Sequence, residues 1–203
     1  MRKASTEDKL GRIHIAAKKL VAKRNIVNIS MYDVAKEASI ATSTIYHHYP
    51  NMESLIYKLL DDVFVDFERV LEEAIKPDEI THWSDINRMI EGGFVRYYSE
   101  NPIAQKILLG LHIYDSVRHA DVNNDLILAL KVEDIYRRYF LLPPLPKDVN
   151  IFAIALQVAD KVYSMNYCES GSIPVKMARE AVILTECYLG AYLPRVLPRV
   201  EPN

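Results

Sequence analysis

Six side chains able to donate or accept hydrogen bonds crowd into one short stretch: Thr42, Ser43, Thr44, Tyr46, His47 and His48. Among them stand Ile45 and Tyr49, four residues apart and therefore on one face of a helix, as buried anchors. Hydroxyls and imidazoles arranged around two such anchors suit contacts to phosphate oxygens and base edges better than they suit a packed stripe. A metal pair of His47 and His48 is disfavoured, because neighbours on a helix diverge by about 100°. The remainder of the chain shows no nucleophile elbow, glycine-rich phosphate loop, paired-carboxylate motif or Cys/His metal spacing. That argues against an enzyme, and it gives no reason to expect a cofactor.

The elements that must hold these groups are short helices. Thr6 to Arg24 reads as an amphipathic helix, with Leu10, Ile13, Ala16, Ala17, Leu20 and Val21 on one face and Ser5 or Thr6 as its cap. Ser30 caps a helix over 31–38, and Ser39, Ile40 and Ala41 make the turn. Thr42 is expected to cap the next helix, which runs to about Tyr49 and is stopped by Pro50. Asn51 caps a long helix over 52–75. Five more helices are expected at 83–99, 102–112, 122–141, 148–167 and 174–192, with Pro194 to Asn203 a loose extension. No strand alternation appears. The fold class is therefore all-α, with about nine helices.

Charge is unevenly placed. Residues 1–60 hold ten Lys/Arg against five acids, +5, which leaves −7 on the remainder of a chain whose net charge is −2. A basic end on an acidic body fits a polyanion-contacting head, since phosphate attraction needs positive charge only locally. Half the residues are apolar, yet no run spans a membrane and the start lacks a signal peptide, so a cytoplasmic protein with no membrane partner is expected. Cys168 and Cys187 lie in apolar helical patterns and read as buried reduced thiols.

The order of helices, together with Thr44, Ile45, Tyr46, His48, Tyr49, Asn51, Glu53 and Leu55, resembles the TetR family of transcriptional regulators. The motif covers about residues 10–60. It departs from the family at Ser39, usually glycine, and at Met52, frequently a phosphate-contacting lysine. The resemblance implies a DNA-binding head over 1–51, and a connecting helix with a ligand-binding and dimerisation body over 52–203. It implies a repressor that binds a palindromic double-stranded operator as a homodimer and is released by a small effector. Thr42, Ser43 and His47 would meet base edges, and Thr44, Tyr46 and His48 phosphates or thymine methyls. Ser30, Met31 and Tyr32 would approach the backbone at a helix N-terminus. Helices 148–167 and 174–192 would form the dimer interface, along stripes of Ile151, Ile154, Ala155, Val158 and Val162, and of Ala178, Ala181, Val182, Thr185, Leu189 and Tyr192.

The body is rich in aromatics, among them Tyr98 and Tyr163. Their helical spacing reads first as packed core. The competing reading is a ligand pocket, to which the polar residues inside apolar runs, His112, Asp160 and Asn166, point with them, and the apolar surroundings suggest a hydrophobic or aromatic effector. A helical protein-binding adaptor and a small helical enzyme are the rival readings.

Overall fold

A computed structural model describes residues 5–110 and 114–200, which carry nine α-helices and short 3₁₀ turns at Ile26–Asn28 and Pro77–Glu79. Four helices begin on reciprocal caps, in which a side chain accepts from a backbone N–H two or three residues on and is answered in kind. Ser5 and Asp8 start α1 (Thr6–Lys23), Ser30 and Asp33 start α2 (Met31–Ala38), Asn51 and Ser54 start α4 (Met52–Ala74), and His82 and Asp85 start α5 (Trp83–Glu100). The recognition candidate α3 (Thr42–His48) differs. Its N-cap is Ala41, with no side-chain hydrogen bond, so Thr42 is the first helical residue and not the cap expected of it.

The bend between α2 and α3 turns on Ser39, whose φ of 51° and ψ of 48° are left-handed. Two groups hold it there. Its own N–H and that of Ile40 return to Lys36 and Ala35 carbonyls, and the Arg12 guanidinium donates to the carbonyls of Ala38 (2.6 Å) and Ser39 (2.8 Å). Arg12 is therefore committed to bracing the turn.

α4 runs through both halves of the molecule. Leu55, Ile56, Leu59, Leu60 and Val63 form its buried stripe near the head, and Phe67, Val70 and Leu71 continue it into the body. Against it lie α5 (Trp83–Glu100) and α7 (Asp115–Tyr139). A Cβ at Gly93 would stand 2.9 Å from that of Ala74, so only glycine lets α5 come this close to α4. Lys131 and Arg138 on α7 reach Glu68 and Glu72 on α4, the second as a fork with both bonds at 3.0 Å. After α6 (Pro102–Ala104) the backbone widens into a π turn at Gln105–Leu109. Helices α8 (Ile151–Ser170) and α9 (Val175–Leu189) pack on each other and complete the body.

Two expectations change. α7 begins at Asp115 and not at 122, because the polar stretch before Asp121 is helical as well. The C-terminal segment is not loose: Leu193 and Leu197 are buried, Trp83 Nε1 donates to the Pro194 carbonyl at 3.0 Å, and Arg199 bridges to Phe140. Prolines there remove donors that such a docked extension does not need. No helix among the described residues is long and apolar enough to cross a membrane.

Ser39→Gly is expected to stabilise the protein by about 0.5–1 kcal/mol. The left-handed conformation costs a residue with a Cβ roughly 1–2 kcal/mol, and glycine's greater freedom in the unfolded chain returns part of that. Urea unfolding checks this through the transition midpoint, with Ser39→Val shifting it the other way.

Candidate nucleic-acid interface and body interior

Ile45 fixes the orientation of α3. It is 0% exposed, and Tyr49 is buried beside it with its hydroxyl 2.5 Å from Nε2 of His14. Burial pushes the His14 pKa down, which favours the neutral ring, whose free nitrogen can accept a hydrogen bond from the Tyr49 hydroxyl. With that face committed to the core, Ser43, Tyr46 and His47 are exposed, and Thr42, Thr44 and His48 half-buried along the edges. The rings of His47 and His48 sit edge to face, 5.2 Å apart. The surface holds donors, acceptors and an aromatic ring but no arginine, asparagine or glutamine to grip one base bidentately.

On α2, Ser30 and Tyr32 are exposed, Tyr32 at 67%, although the Ser30 hydroxyl is already engaged with Asp33. Met31 must be withdrawn as a side-chain contact. It is only 4% exposed and belongs to the core, because the first turn of α2 rests on it. A different residue joins the set. Lys9 and Thr6 of α1 line one cleft with Ser43, Thr44, His47 and His48. Lys18, Lys19, Arg24 and Lys58 are each paired to an acid, whereas Lys9 has no ion pair among the described residues. Its place opposite the exposed face of α3 was not legible from helical periodicity, which gives only a position on α1. Met52, where the resemblance expects a lysine, packs half-buried against the core.

In the body, Tyr98, Asp160 and Tyr163 do come together. Tyr98 Oη donates to Asp160 Oδ1 at 3.2 Å, and the Tyr163 hydroxyl donates to Glu91. They line a cavity of ≈ 10 Å³ with Phe67, Phe94 and Asp125, so the aromatics are packed and the interior admits about one water-sized group. His112 lies outside the described residues, as does the side chain of Asn166. Glu91, Asp121 and Asp125 were missed. Their signal was the pair of aspartates four apart on α7, and Glu91 four residues from Asn87 on α5.

Of the stripes expected to pair two subunits, Ile154, Val158, Ala178, Val182 and Tyr192 keep some exposure, whereas the others turn inward. Ile151, Ala155, Val162, Ala181, Thr185 and Leu189 are buried within one chain, with Asn87 Nδ2 donating to Thr185 Oγ1 at 2.9 Å. The apolar groups those two helices expose are Met165, Val175, Ile183 and Leu184, and Cys187, expected to be buried, is exposed there as well.

Residues 13–58 match the sequence profile of bacterial regulatory proteins of the tetR family. The chain is 32% identical over 117 residues to an uncharacterized HTH-type transcriptional regulator of Haemophilus influenzae, covering 58% of this chain and 59% of that one. It thus spans about three-fifths of that relative's length. A TetR-family transcriptional regulator from Streptomyces coelicolor superposes with a TM-score of 0.68 at 19% identity, covering 91% of this chain and 99% of the other. NalD of Pseudomonas aeruginosa, described as the secondary repressor of the MexAB-OprM multidrug efflux pump, superposes at 0.58 and 16% identity over 95% and 100%. These two likenesses show a shared fold.

Burial pushes Glu91 up to about 7 and raises Asp121, and burial with repulsion from neighbouring acids raises Asp125 and Asp160. A carboxyl raised in the folded state stabilises it fully below its unfolded value of about 4, and that contribution is lost as pH rises through the folded value. The opposite effect of Asp33, held at about 2 by Ser30 and Arg24, acts only in more acidic solution. In chelator-treated buffer the Tm is therefore expected to fall between pH 5 and pH 8. Asp125→Asn should flatten that fall, as followed by circular dichroism.

Proposed function

Through residues 13–58 the chain belongs to the tetR family of bacterial regulatory proteins, and from that premise we propose a ligand-responsive repressor that binds a palindromic operator as a homodimer. The observation that carries the DNA-reading surface is the division of α3. Ile45 and Tyr49 are sealed in the core while Ser43, Tyr46 and His47 face outward, with Lys9 beside them. Thr42, Ser43 and His47 are assigned to base edges. Thr44, Tyr46, His48 and Lys9 are assigned to phosphates or thymine methyls, and Ser30 and Tyr32 to the sugar-phosphate backbone beside the N-terminus of α2. Without a bidentate side chain, specificity spreads over several weak contacts and over DNA shape.

The head, residues 1–51, reads DNA, and the rest of the chain carries ligand and partner. Two-fold pairing is proposed through α8 and α9, where Met165, Ile183 and Leu184 supply exposed apolar surface. Pairing is also required on energetic grounds, because one seven-residue recognition helix buries too little for tight specific binding. A small hydrophobic or aromatic effector acts between α5, α7 and α8, at the walls formed by Phe94, Tyr98 and Tyr163. Because the cavity holds one water-sized group, such a molecule enters only a rearranged body, which is the differential affinity that a population shift needs. A repressor role is supported by the likeness to NalD, itself described as a repressor.

Two polar clamps offer the route from body to head. Lys106 Nζ donates to the carbonyls of Val21 (2.8 Å) and Ala22 (2.7 Å) at the end of α1, and Glu53 of α4 accepts from the Ser116 hydroxyl at the start of α7. Both tie the first turns of the body to the helices that carry α3.

Selection from a random DNA pool, followed by gel shifts, tests this reading. A recovered palindrome supports it; absence of salt-sensitive, sequence-selective binding would leave a protein-binding adaptor. His47→Ala is expected to weaken operator binding by about 1–3 kcal/mol while sparing nonspecific binding. Lys9→Ala should weaken both alike and make log K fall less steeply with log salt, by about 0.9 per lost phosphate contact. Fluorescence anisotropy across a salt series separates the two.

A further inference from the structure

The otherwise apolar face of α7 that meets the body interior carries three polar residues, Asp121, Asn124 and Asp125, all buried. One carboxylate oxygen from each of Asp121, Asp125 and Asp160 lies within 4.8 Å of the others. Helix α7 brings two of them to one face by their four-residue spacing, and α8 supplies the third from across the interface. No lysine, arginine or histidine among the described residues offsets the three. Acids gathered this way are ordinarily separated by folding, since like charges out of water repel strongly.

Two further observations say what the cluster is built to hold. Asp121 is 8% exposed, and its Oδ1 is sealed from solvent without any hydrogen-bond partner. A buried carboxylate oxygen left bare costs the full desolvation penalty unless a cation or a donor meets it. Beside it, Asp125 and Asp160 open onto the ≈ 10 Å³ cavity, whose volume matches one ion or one water and no organic molecule. Tyr98 donates to one oxygen of Asp160 and orients that carboxylate, leaving its second oxygen for the cluster.

We infer that Asp121, Asp125 and Asp160 form a binding site for one divalent cation of the oxygen-preferring class, Mg2+, Mn2+ or Ca2+, which ties α7 to α8. The donor set is all oxygen and all carboxylate, which selects hard cations over Zn2+ or Cu2+. The ion would meet Asp121 Oδ1 and replace the repulsion among three like charges with attraction to a common centre. Because the carboxyls must be ionised to ligate, uptake releases protons and strengthens with rising pH. The site stands apart from DNA reading but borders the cavity whose walls are assigned to the effector, and its test uses neither DNA nor effector.

Chelator-treated full-length protein at pH 7.5 is titrated with Mn2+ while the electron paramagnetic resonance signal of free Mn2+ is followed. One Mn2+ per chain is expected to leave the free pool, with displacement by Mg2+ or Ca2+ and a rise in Tm. Asp125→Asn and Asp160→Asn are each expected to weaken uptake at least tenfold. Both variants should melt no lower than the metal-free wild type, because each removes a repelling charge; that keeps loss of binding distinct from loss of fold. Asp61→Asn, on the exposed side of α4, should bind as wild type does. No uptake up to millimolar Mn2+, or uptake unaltered in both variants, overturns the inference. So does a Tm that responds to pH but not to Mn2+, which would leave a cluster that only shares protons.

Discussion

One helix serves two cores. The apolar stripe of α4 begins under α1 and ends under α5 and α7, so neither half of the molecule can bury its interior without it. A 23-residue helix is about 35 Å long and bends little under such packing. Any shift of Phe67 among Phe94, Tyr97 and Tyr98, whose ring centres lie 5.2 to 5.8 Å away, is therefore felt at Leu55 as a change in helix direction. The close approach at Gly93 and the Arg138–Glu72 fork hold the body end on either side. What the head presents to its surroundings is set by how the body grips this one element.

The head was legible in the sequence because its rules are local. Ser30 with Asp33, and Asn51 with Ser54, announce helix starts within four residues, and Ile45 with Tyr49 announce a buried face by spacing alone. Each of those signals survives without knowledge of the rest of the chain. The error at Thr42 is of the same scale: two small residues compete for one cap, and Ala41 takes the position with no side chain to mark it.

The body was harder to read because the first half of α7 buries polar residues, although Leu128, Ala129, Val132, Ile135 and Tyr136 keep the rest of its inner face apolar. Asp121, Asn124 and Asp125 are inside, while Val122, Leu126, Ile127 and Leu130 face outward. A reading that looks for an apolar face passes over the polar residues 115–121 and delays the start of this helix to 122. Only the neighbours across the gap, Asp160 and Tyr98, reveal the orientation, and they are distant in sequence. The stripes on α8 and α9 are only half assigned for a related reason. Periodicity finds an apolar face on α8 and α9 but cannot say whether that face meets its own chain, as Thr185 meets Asn87, or another copy. The docked C-terminal segment likewise depends on Trp83 and Ile80, more than a hundred residues away.

The widened turn at Gln105–Leu109 gives the junction a discrete geometry. It accommodates one residue more than an ordinary turn, and rewinding it would rotate whatever follows by about 100° and advance it by about 1.5 Å. Lys106 sits inside that turn with its ammonium seated on the last carbonyls of α1. The seat is thus compatible with one winding of the backbone and not its neighbour, so the attachment between the two halves is stepwise and resists gradual drift.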